Sequence, residues 1–177
     1  MKRLLRNGYS ISDVLESDAD AYVEHLQEQQ IHDQTLSLPH PYTRADAEAW
    51  IARVTAETVR HGQSLNWAIR CDDGGLIGGI GILDWKTEAP AKAQIGYWLA
   101  KPYWGQGIVT DAVEQVTTYC FDTLKVFRVE ADVFAFNLGS ARVLEKAGYA
   151  FEGVLPARYI KNGQPVDARR YARAKPR

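Results

Sequence analysis

Apolar residues along this chain switch repeatedly between the spacing of an amphipathic helix and the alternation of a strand. Segments with helical spacing are predicted as helices: 18–30, 43–61, 108–120 and 138–147. Segments with alternating apolar and polar residues are predicted as strands: 4–14, 65–71, 76–84, 91–99, 126–135, 149–155 and 166–172. The resulting order, β-α-α-β-β-β-α-β-α-β-β, predicts an α/β fold with a mixed sheet and helices on both of its faces.

Turn-forming residues separate these elements. The glycine-containing segments 72–75 and 161–163 are typical hairpin turns, so each predicts a pair of neighbouring antiparallel strands. Two prolines exclude a helix at 37–42, and Thr43 is expected to cap the helix that follows. No linker, repeat or low-complexity segment interrupts the chain. We therefore expect a single domain over residues 1–177.

Composition and charge exclude several classes of protein. The 177 residues are 46% hydrophobic, and the formal net charge of -1 provides no general attraction to nucleic acid or to an anionic membrane. No apolar run approaches the ~20 residues of a membrane span, and no secretory signal is present, so a cytoplasmic location is expected. A basic C-terminal cluster without interleaved aromatic residues is expected to be a solvated strand edge and tail: Arg169, Arg170, Arg173, Lys175 and Arg177.

The most informative segment combines a strand, a turn with two glycines and the start of a helix, over residues 95–113. Gly105 and Gly107 lack a Cβ, so the backbone can turn tightly and a ligand can approach it closely. The unpaired N–H groups and the dipole of the following helix favour a bound phosphate. A helix entry without a ligand is the alternative. A nicotinamide cofactor is disfavoured, because Thr110 stands where the dinucleotide fingerprint needs a small residue.

Two spaced motifs suggest a family. In residues 104–109, Gly107 matches a pyrophosphate loop in which Arg or Gln is usual where Trp104 stands, and Gly or Ala where Val109 stands. Residues 137–149 carry an Asn-x-x-Ser start and a Lys-x-Gly-Tyr end. Together they resemble the GNAT acyltransferases, of the branch that includes the ribosomal-protein N-terminal acetyltransferases. The resemblance covers nearly the whole chain.

The resemblance implies acetyl-CoA as acyl donor and co-substrate. Its pyrophosphate would bind backbone N–H groups of six consecutive residues: Gly105, Gln106, Gly107, Ile108, Val109 and Thr110. Its pantetheine arm would pair with backbone where two parallel strands diverge, at 131–135 and at Trp98, Leu99 and Ala100. Asn137 would hydrogen-bond this arm while also capping a helix. Arg142 would meet the 3′-phosphate, or would be a solvated surface charge.

Acyl transfer needs a neutral amine, a polarised thioester and a proton for the departing thiolate. Many members of the family supply that proton from a tyrosine, but Leu144 occupies its position, and the resemblance leaves Ser140 as the catalytic donor. The alternative role of Ser140 is that of a small residue in the first turn of a helix. Gln94 occupies the position of a glutamate in the branch and cannot act as a base. Three candidates for the base remain: Asp84, Glu88 and His40. A chain of water molecules to solvent is the alternative.

The resemblance places the acceptor amine between the loop after the first helix and the last hairpin. Side chains expected to line it, which could equally belong to the core, are His32, His40, Tyr42, Trp85 and Tyr159. The acceptor would be a protein N-terminal α-amine or a small-molecule amine, and the chain a monomer or a homodimer. The histidines share no metal-ligand spacing, so no metal is expected. A non-catalytic acyl-CoA-binding module is the competing hypothesis.

Overall fold

The strands and helices follow the predicted order, with two additions near the N terminus. The computed structural model describes residues 2–85 and 92–176. Its strands are β1 (Arg3–Leu4), β2 (Ser10–Asp13), β3 (Asn66–Arg70), β4 (Leu76–Trp85), β5 (Lys92–Leu99), β6 (Arg128–Phe134), β7 (Ala150–Lys161) and β8 (Gln164–Ala174). Its helices are α1 (Ala19–Leu26), α2 (Gln29–Gln34), α3 (Arg44–His61), α4 (Ile108–Asp122) and α5 (Leu138–Lys146). The predicted α/β class with a mixed sheet is confirmed, with eight strands among these residues.

Packing divides the chain into two compact units. The first consists of Met1–Gly81 and Tyr97–Ile108, and the second of Ile82–Gly96 and Val109–Arg177. In the first unit, β1, β2, β3 and β4 pair antiparallel in chain order. In the second unit, β6 pairs parallel to β5 on one side and antiparallel to β8 on the other, and β8 also pairs with β7. No helix in the described part of the chain is both long and apolar enough to cross a bilayer.

The N-terminal elements differ from the predictions in one boundary and one addition. The strand predicted within 4–14 is β2, and the 3₁₀ turn Arg6–Gly8, in which Asn7 adopts a left-handed backbone with φ of 59°, separates it from the short additional strand β1. The helix predicted at 18–30 ends at Leu26, and α2 then begins after Glu28. Glu28 has extended backbone, and its side chain accepts a hydrogen bond from the Gln30 N–H, so it caps a new helix instead of continuing the old one.

The core of the first unit joins α1, α2 and α3 to the sheet. The cluster contains buried residues of all three helices and of β3 and β4, such as Tyr22, Ile31 and Ile51. Trp98 of β5 packs against it, with its ring centroid 5.8 Å from that of Tyr22. A Cβ at Gly79 would lie 2.7 Å from the Trp98 Nε1. Only glycine at that position leaves room for the indole, so β4 lets this bulky side chain lie across it.

The C-terminal basic cluster was wrongly predicted to lie on a strand edge, and its last member, Arg177, lies outside the described residues. β8 is not an edge strand, because it lies between β6 and β7. Arg173 donates a hydrogen bond to the Ala147 carbonyl at 2.9 Å, and Lys175 donates one to the Phe121 carbonyl at 3.0 Å. These long side chains therefore satisfy backbone carbonyls of the second unit, which leaves less of their charge available to an external partner.

Candidate active site

The glycine turn has the backbone conformation that a phosphate-binding turn requires. Gly105 and Gly107 have φ of 77° and 80°, in the left-handed region that favours glycine. A Cβ built on either would meet no atom within 4 Å, so the space beside both glycines is open. α4 begins directly after Gly107 and runs for 15 residues, so its N-terminal dipole is aimed at this space. An anionic group fits here on steric and electrostatic grounds.

Side chains from outside the turn hold it in place. The Tyr9 hydroxyl donates to Gln106 Oε1 at 2.9 Å, and Gln106 Nε2 donates to the Pro102 carbonyl at 3.3 Å. The Trp104 indole N–H donates to the Leu99 carbonyl at 2.7 Å. Trp104 therefore links the turn to the end of β5. The motif usually has Arg or Gln at the position of Trp104. Tyr9 was missed by sequence reasoning, because nothing local links residues 97 positions apart.

We expect Tyr9→Phe to weaken acetyl-CoA binding modestly. The substitution removes only the hydroxyl that fixes Gln106, and a single hydrogen bond of this kind is worth about 2- to 5-fold in the dissociation constant. Titration calorimetry with acetyl-CoA measures the change. Tyr171→Phe is the matched control, since Tyr171 donates a similar bond to Glu145 in the second unit. An equal loss of affinity in both variants would contradict a specific role for Tyr9.

The end of β5 offers part of the backbone that the pantetheine arm was predicted to use. Its parallel pairing to β6 ends at Gln94 and Glu130, whereas the strand itself continues to Leu99. Two of the predicted groups are already bonded: the Ala100 N–H donates to the Ile77 carbonyl at 2.8 Å, and the Leu99 carbonyl accepts from Trp104. Because alternate residues of a strand point the same way, the Trp98 N–H faces β4 like that of Ala100, and the Leu99 N–H stays the predicted partner of the arm.

The second unit carries the remaining predicted catalytic and cofactor residues. Asn137 is buried and caps α5, because its Oδ1 accepts the Ser140 N–H at 3.0 Å. This confirms the capping role expected of Asn137. Ser140 lies half-buried in the first turn of α5, and Arg142, two residues further along the helix, is exposed. Leu144 is fully buried, so the position of the usual tyrosine is part of the core here.

The predicted acceptor residues of the first unit divide into a pair of histidines and a core tyrosine. The rings of His32 and His40 lie 5.3 Å apart between centroids, and His32 Nδ1 lies 2.9 Å from the Leu38 carbonyl. Tyr42 is only 3% exposed within the hydrophobic cluster, and burial raises its pKa to about 12. Tyr42 therefore serves packing, the alternative that the sequence left open.

Two further candidates for the base or the acceptor contacts lie at the end of β4, Asp84 and Trp85. Asp84 is exposed on β4, and Trp85 is half-buried at the last position of that strand. Glu88 lies outside the described residues, and its candidacy as the base stays a prediction. Gln94 is half-buried on β5. Within residues 2–85 and 92–176, no three potential metal ligands come together.

Tyr159 belongs to an ionic network that the sequence did not reveal. Asp132 of β6 has a fully buried side chain. Arg170 of β8 donates hydrogen bonds to both carboxylate oxygens of Asp132, from Nε at 2.8 Å and from Nη2 at 2.7 Å. The Tyr159 hydroxyl and the Arg158 Nε donate to the same carboxylate at 3.2 and 3.3 Å. Burial alone would raise the pKa of Asp132, but the hydrogen bonds and charge of Arg170, with Tyr159 and Arg158, hold it below its ordinary value.

A comparison with known protein families shows the family to which this arrangement of elements belongs. The model of the acetyltransferase (GNAT) domain matches residues 11–150 of the chain. This chain belongs to the GNAT acetyltransferase family. The matched segment includes the glycine turn, both ends of β5 and the Asn137–Ser140 cap, so the elements described above are those of a GNAT domain.

Individual relatives agree with the GNAT assignment. YjcK of Bacillus subtilis, named a probable N-acetyltransferase, is 45% identical over 91 residues, which are 51% of this chain and 50% of YjcK. YdaF of the same organism, provisionally named a ribosomal N-acetyltransferase, is 36% identical over 95 residues, 54% of this chain and 51% of YdaF. The chain therefore spans about half the length of these curated relatives in the matched stretches.

One solved structure is similar over nearly the whole GNAT chain. The structure of Mycobacterium smegmatis RimJ, in complex with a CoA disulfide, superposes with a TM-score of 0.84 and 25% sequence identity. The superposition covers 98% of this chain and 86% of that one. The GNAT fold, predicted from the order of elements and two motifs, is thus confirmed over the described chain.

Proposed function

We propose that this GNAT chain is an N-acetyltransferase that moves an acetyl group from acetyl-CoA to an amine by direct transfer. The observation that carries the proposal is the turn at Gly105 and Gly107. Both glycines are left-handed, the space beside them is open, and α4 starts immediately after them. A pyrophosphate fits such a turn through backbone N–H groups, without an arginine.

In this proposal the donor thioester lies along the end of β5. The backbone N–H of Leu99 is the polarising donor, since a fixed dipole aimed at the developing oxyanion stabilises the transition state. The amine nitrogen attacks the carbonyl carbon, the carbon–sulfur bond breaks, and the thiolate takes a proton. Ser140, which Asn137 positions through the first turn of α5, is our candidate for the group that delivers or relays that proton.

We propose further that the acceptor is the α-amine of a protein N terminus. The similarity to YdaF and to RimJ supports an acceptor on a protein. An α-amine also suits a transferase without a strong base, because its ordinary pKa near ~8 leaves a useful fraction neutral at physiological pH, whereas an alkyl amine titrates near ~10.

The decisive test is turnover. Release of free CoA thiol from acetyl-CoA is followed with a panel of peptides bearing free N termini, the same peptides with blocked N termini, and small amines. The proposal expects thiol release with the free peptides and a mass increase of one acetyl group at the N terminus. Acetyl-CoA affinity without thiol release on any amine would instead identify a non-catalytic acyl-CoA-binding module.

We expect Ser140→Ala to lower turnover more than it weakens acetyl-CoA binding. Loss of a proton donor affects the departing thiolate, and we expect kcat to fall about 10-fold because water replaces the hydroxyl. Steady-state kinetics and calorimetry separate the two effects. Thr118→Ala on α4, whose hydroxyl bonds the Glu114 carbonyl, is the control for loss of a helical hydroxyl. Unchanged turnover in the Ser140 variant would show that the thiolate takes its proton from water.

A further inference from the structure

The proposed reaction needs a group that takes a proton from the acceptor ammonium, and the sequence named no base with a supporting contact. Gln94 cannot act as one at neutral pH, and Asp84 is exposed at the end of β4. We propose that Nε2 of His32, on α2, is the catalytic base of this chain. The inference rests on the proposed function, and it adds a residue that the sequence had placed only among the acceptor contacts.

The hydrogen bond of His32 determines which of its nitrogens is available. Nδ1 lies 2.9 Å from the carbonyl oxygen of Leu38. A carbonyl oxygen only accepts, so the shared hydrogen is assigned to Nδ1, and the lone pair of the neutral ring is then on Nε2. An imidazole whose Nδ1 is held by a backbone carbonyl is oriented as well as fixed in its tautomer. Its Nε2 can therefore accept a proton without a change of ring position.

Contacts within the first unit place α2 beside the end of β5. Glu28, which caps α2, forms an ion pair with Lys101 at 3.4 Å, and Lys101 lies two residues after the end of β5 at Leu99. His32 is one helical turn from Glu28, or about 5.4 Å along the axis. Ile31 belongs to the cluster against which Trp98 packs. The inference therefore places His32 on the helix that this ion pair and this cluster link to the end of β5.

The charged and titratable groups around His32 come from three elements. His40, from the loop before α3, has its ring centroid 5.3 Å from that of His32, and the two rings are tilted by 42°. On α2 itself, Asp33 is engaged by Gln29 at 2.7 Å, and Glu28 is engaged by Lys101. His40 is therefore the titratable neighbour whose ring lies against that of His32.

The proton balance is simple. The acceptor ammonium transfers one proton to Nε2 of His32 and becomes a neutral amine. The amine nitrogen forms a bond to the thioester carbonyl carbon, the carbon–sulfur bond breaks, and the second nitrogen proton ends on the CoA thiol. His32 then returns its proton to solvent. One acetamide, one free thiol and one proton are the products, and no oxidant or metal is required.

The test uses His32→Asn in the full chain. The asparagine amide nitrogen occupies the place of Nδ1 and can still donate to the Leu38 carbonyl, but it cannot take up a proton. The rate constant kcat/KM is measured against pH with peptides whose α-amines differ in basicity. Wild type is expected to show one inflection at the same pH for every acceptor, beside a second that moves with the basicity of the acceptor's own α-amine. In His32→Asn the constant inflection should disappear and kcat should fall about 100-fold, with the Kd for acetyl-CoA unchanged.

Further outcomes keep this inference separate from the proposed function. His25→Asn should retain the constant inflection, since His25 lies on α1 with its Nε2 3.0 Å from the Leu76 carbonyl and has no part in the proposed site. Added imidazole should restore part of the activity of His32→Ala. If wild type turns over but His32→Asn keeps both the rate and the inflection, the role of His32 is wrong and the proposed function stands. If His32→Asn loses acetyl-CoA affinity in proportion to its rate, His32 is structural rather than catalytic. Absence of thiol release by wild type would overturn the proposed function and this inference together.

Discussion

Replacing Gly107 with valine is expected to weaken acetyl-CoA binding about 10- to 100-fold, because a side chain in the open space beside the turn would displace the phosphate from backbone N–H groups. Hydrogen bonds to a charged group are the stronger kind, and losing one or two of them accounts for that range. Gly107 has φ of 80° and no atom within 4 Å of its Cβ position, so the substitution causes no clash inside the protein itself. Calorimetric titration with acetyl-CoA measures the loss.

A control is needed, because valine at a left-handed position costs about 1–2 kcal/mol of stability wherever it stands. Gly62, which ends α3, has φ of 66° and likewise no atom within 4 Å of its Cβ position. Gly62→Val should therefore lower the melting temperature about as much as Gly107→Val while leaving the affinity intact. Full acetyl-CoA affinity in a folded Gly107→Val protein would contradict the placement of the pyrophosphate at this turn.

Asp132→Asn is expected to lower the free energy of unfolding at pH 7 by about 2–3 kcal/mol. The amide leaves the Arg170 guanidinium without its ionic partner in a site where the carboxylate has no exposure. The loss stays below that of a fully buried pair, since Arg170 is itself 23% exposed and keeps some hydration. Chemical denaturation followed by circular dichroism measures it, and a double-mutant cycle with Arg170→Gln isolates the coupling.

The pH dependence of this effect has a definite sign. The pKa of Asp132 in the folded chain is lowered from its ordinary value, so the folded state binds its proton less readily than the unfolded chain does. The stabilisation is therefore complete above the unfolded pKa of ~3.9 and is lost as pH falls through the lowered folded-state value. The difference between wild type and Asp132→Asn should accordingly shrink in that acidic window.

The exposed pair of Asp20 and Arg44 provides a contrast within the same chain. Their side chains are 90% and 54% exposed, and such surface pairs contribute about 0–1 kcal/mol. Asp20→Asn should therefore have little effect on unfolding. If Asp132→Asn were equally mild, the buried network would not be a source of stability in the second unit.

Several features of the fold were predictable because they depend on neighbours in sequence. Thr43 caps α3 in a capping box with Asp46, three residues away, and both partners are visible in the sequence. The hairpin between β7 and β8 turns at Asn162 and Gly163, whose φ of 51° and 75° suit an Asn-Gly turn. The left-handed backbone of the two glycines before α4 was predictable for the same reason. In each case the backbone conformation is determined within one turn of chain.

The break between α1 and α2 shows where local reasoning failed. The apolar spacing of α1 continues to Ile31, so periodicity alone favoured one long helix. Glu28 has an equally local alternative, in which its carboxylate accepts the Gln30 N–H and starts a second helix. The contact with Lys101 holds Glu28 at the end of β5, and that contact, between residues 73 positions apart, was not visible in the pattern.

By itself the sequence determined the family, the glycine turn and the order of strands and helices, since each follows from backbone preferences over a few consecutive residues. The tertiary structure alone decided which polar groups face one another. The alternation in β6 placed Asp132 on the polar side of the strand without indicating a partner, whereas β8 lies between β6 and β7 and sets Arg170 opposite it. The Tyr9–Gln106 bond and the Nδ1 contact of His32 arise in the same way. Their partners are chosen by strand register and loop packing, and these depend on the whole core rather than on neighbouring residues.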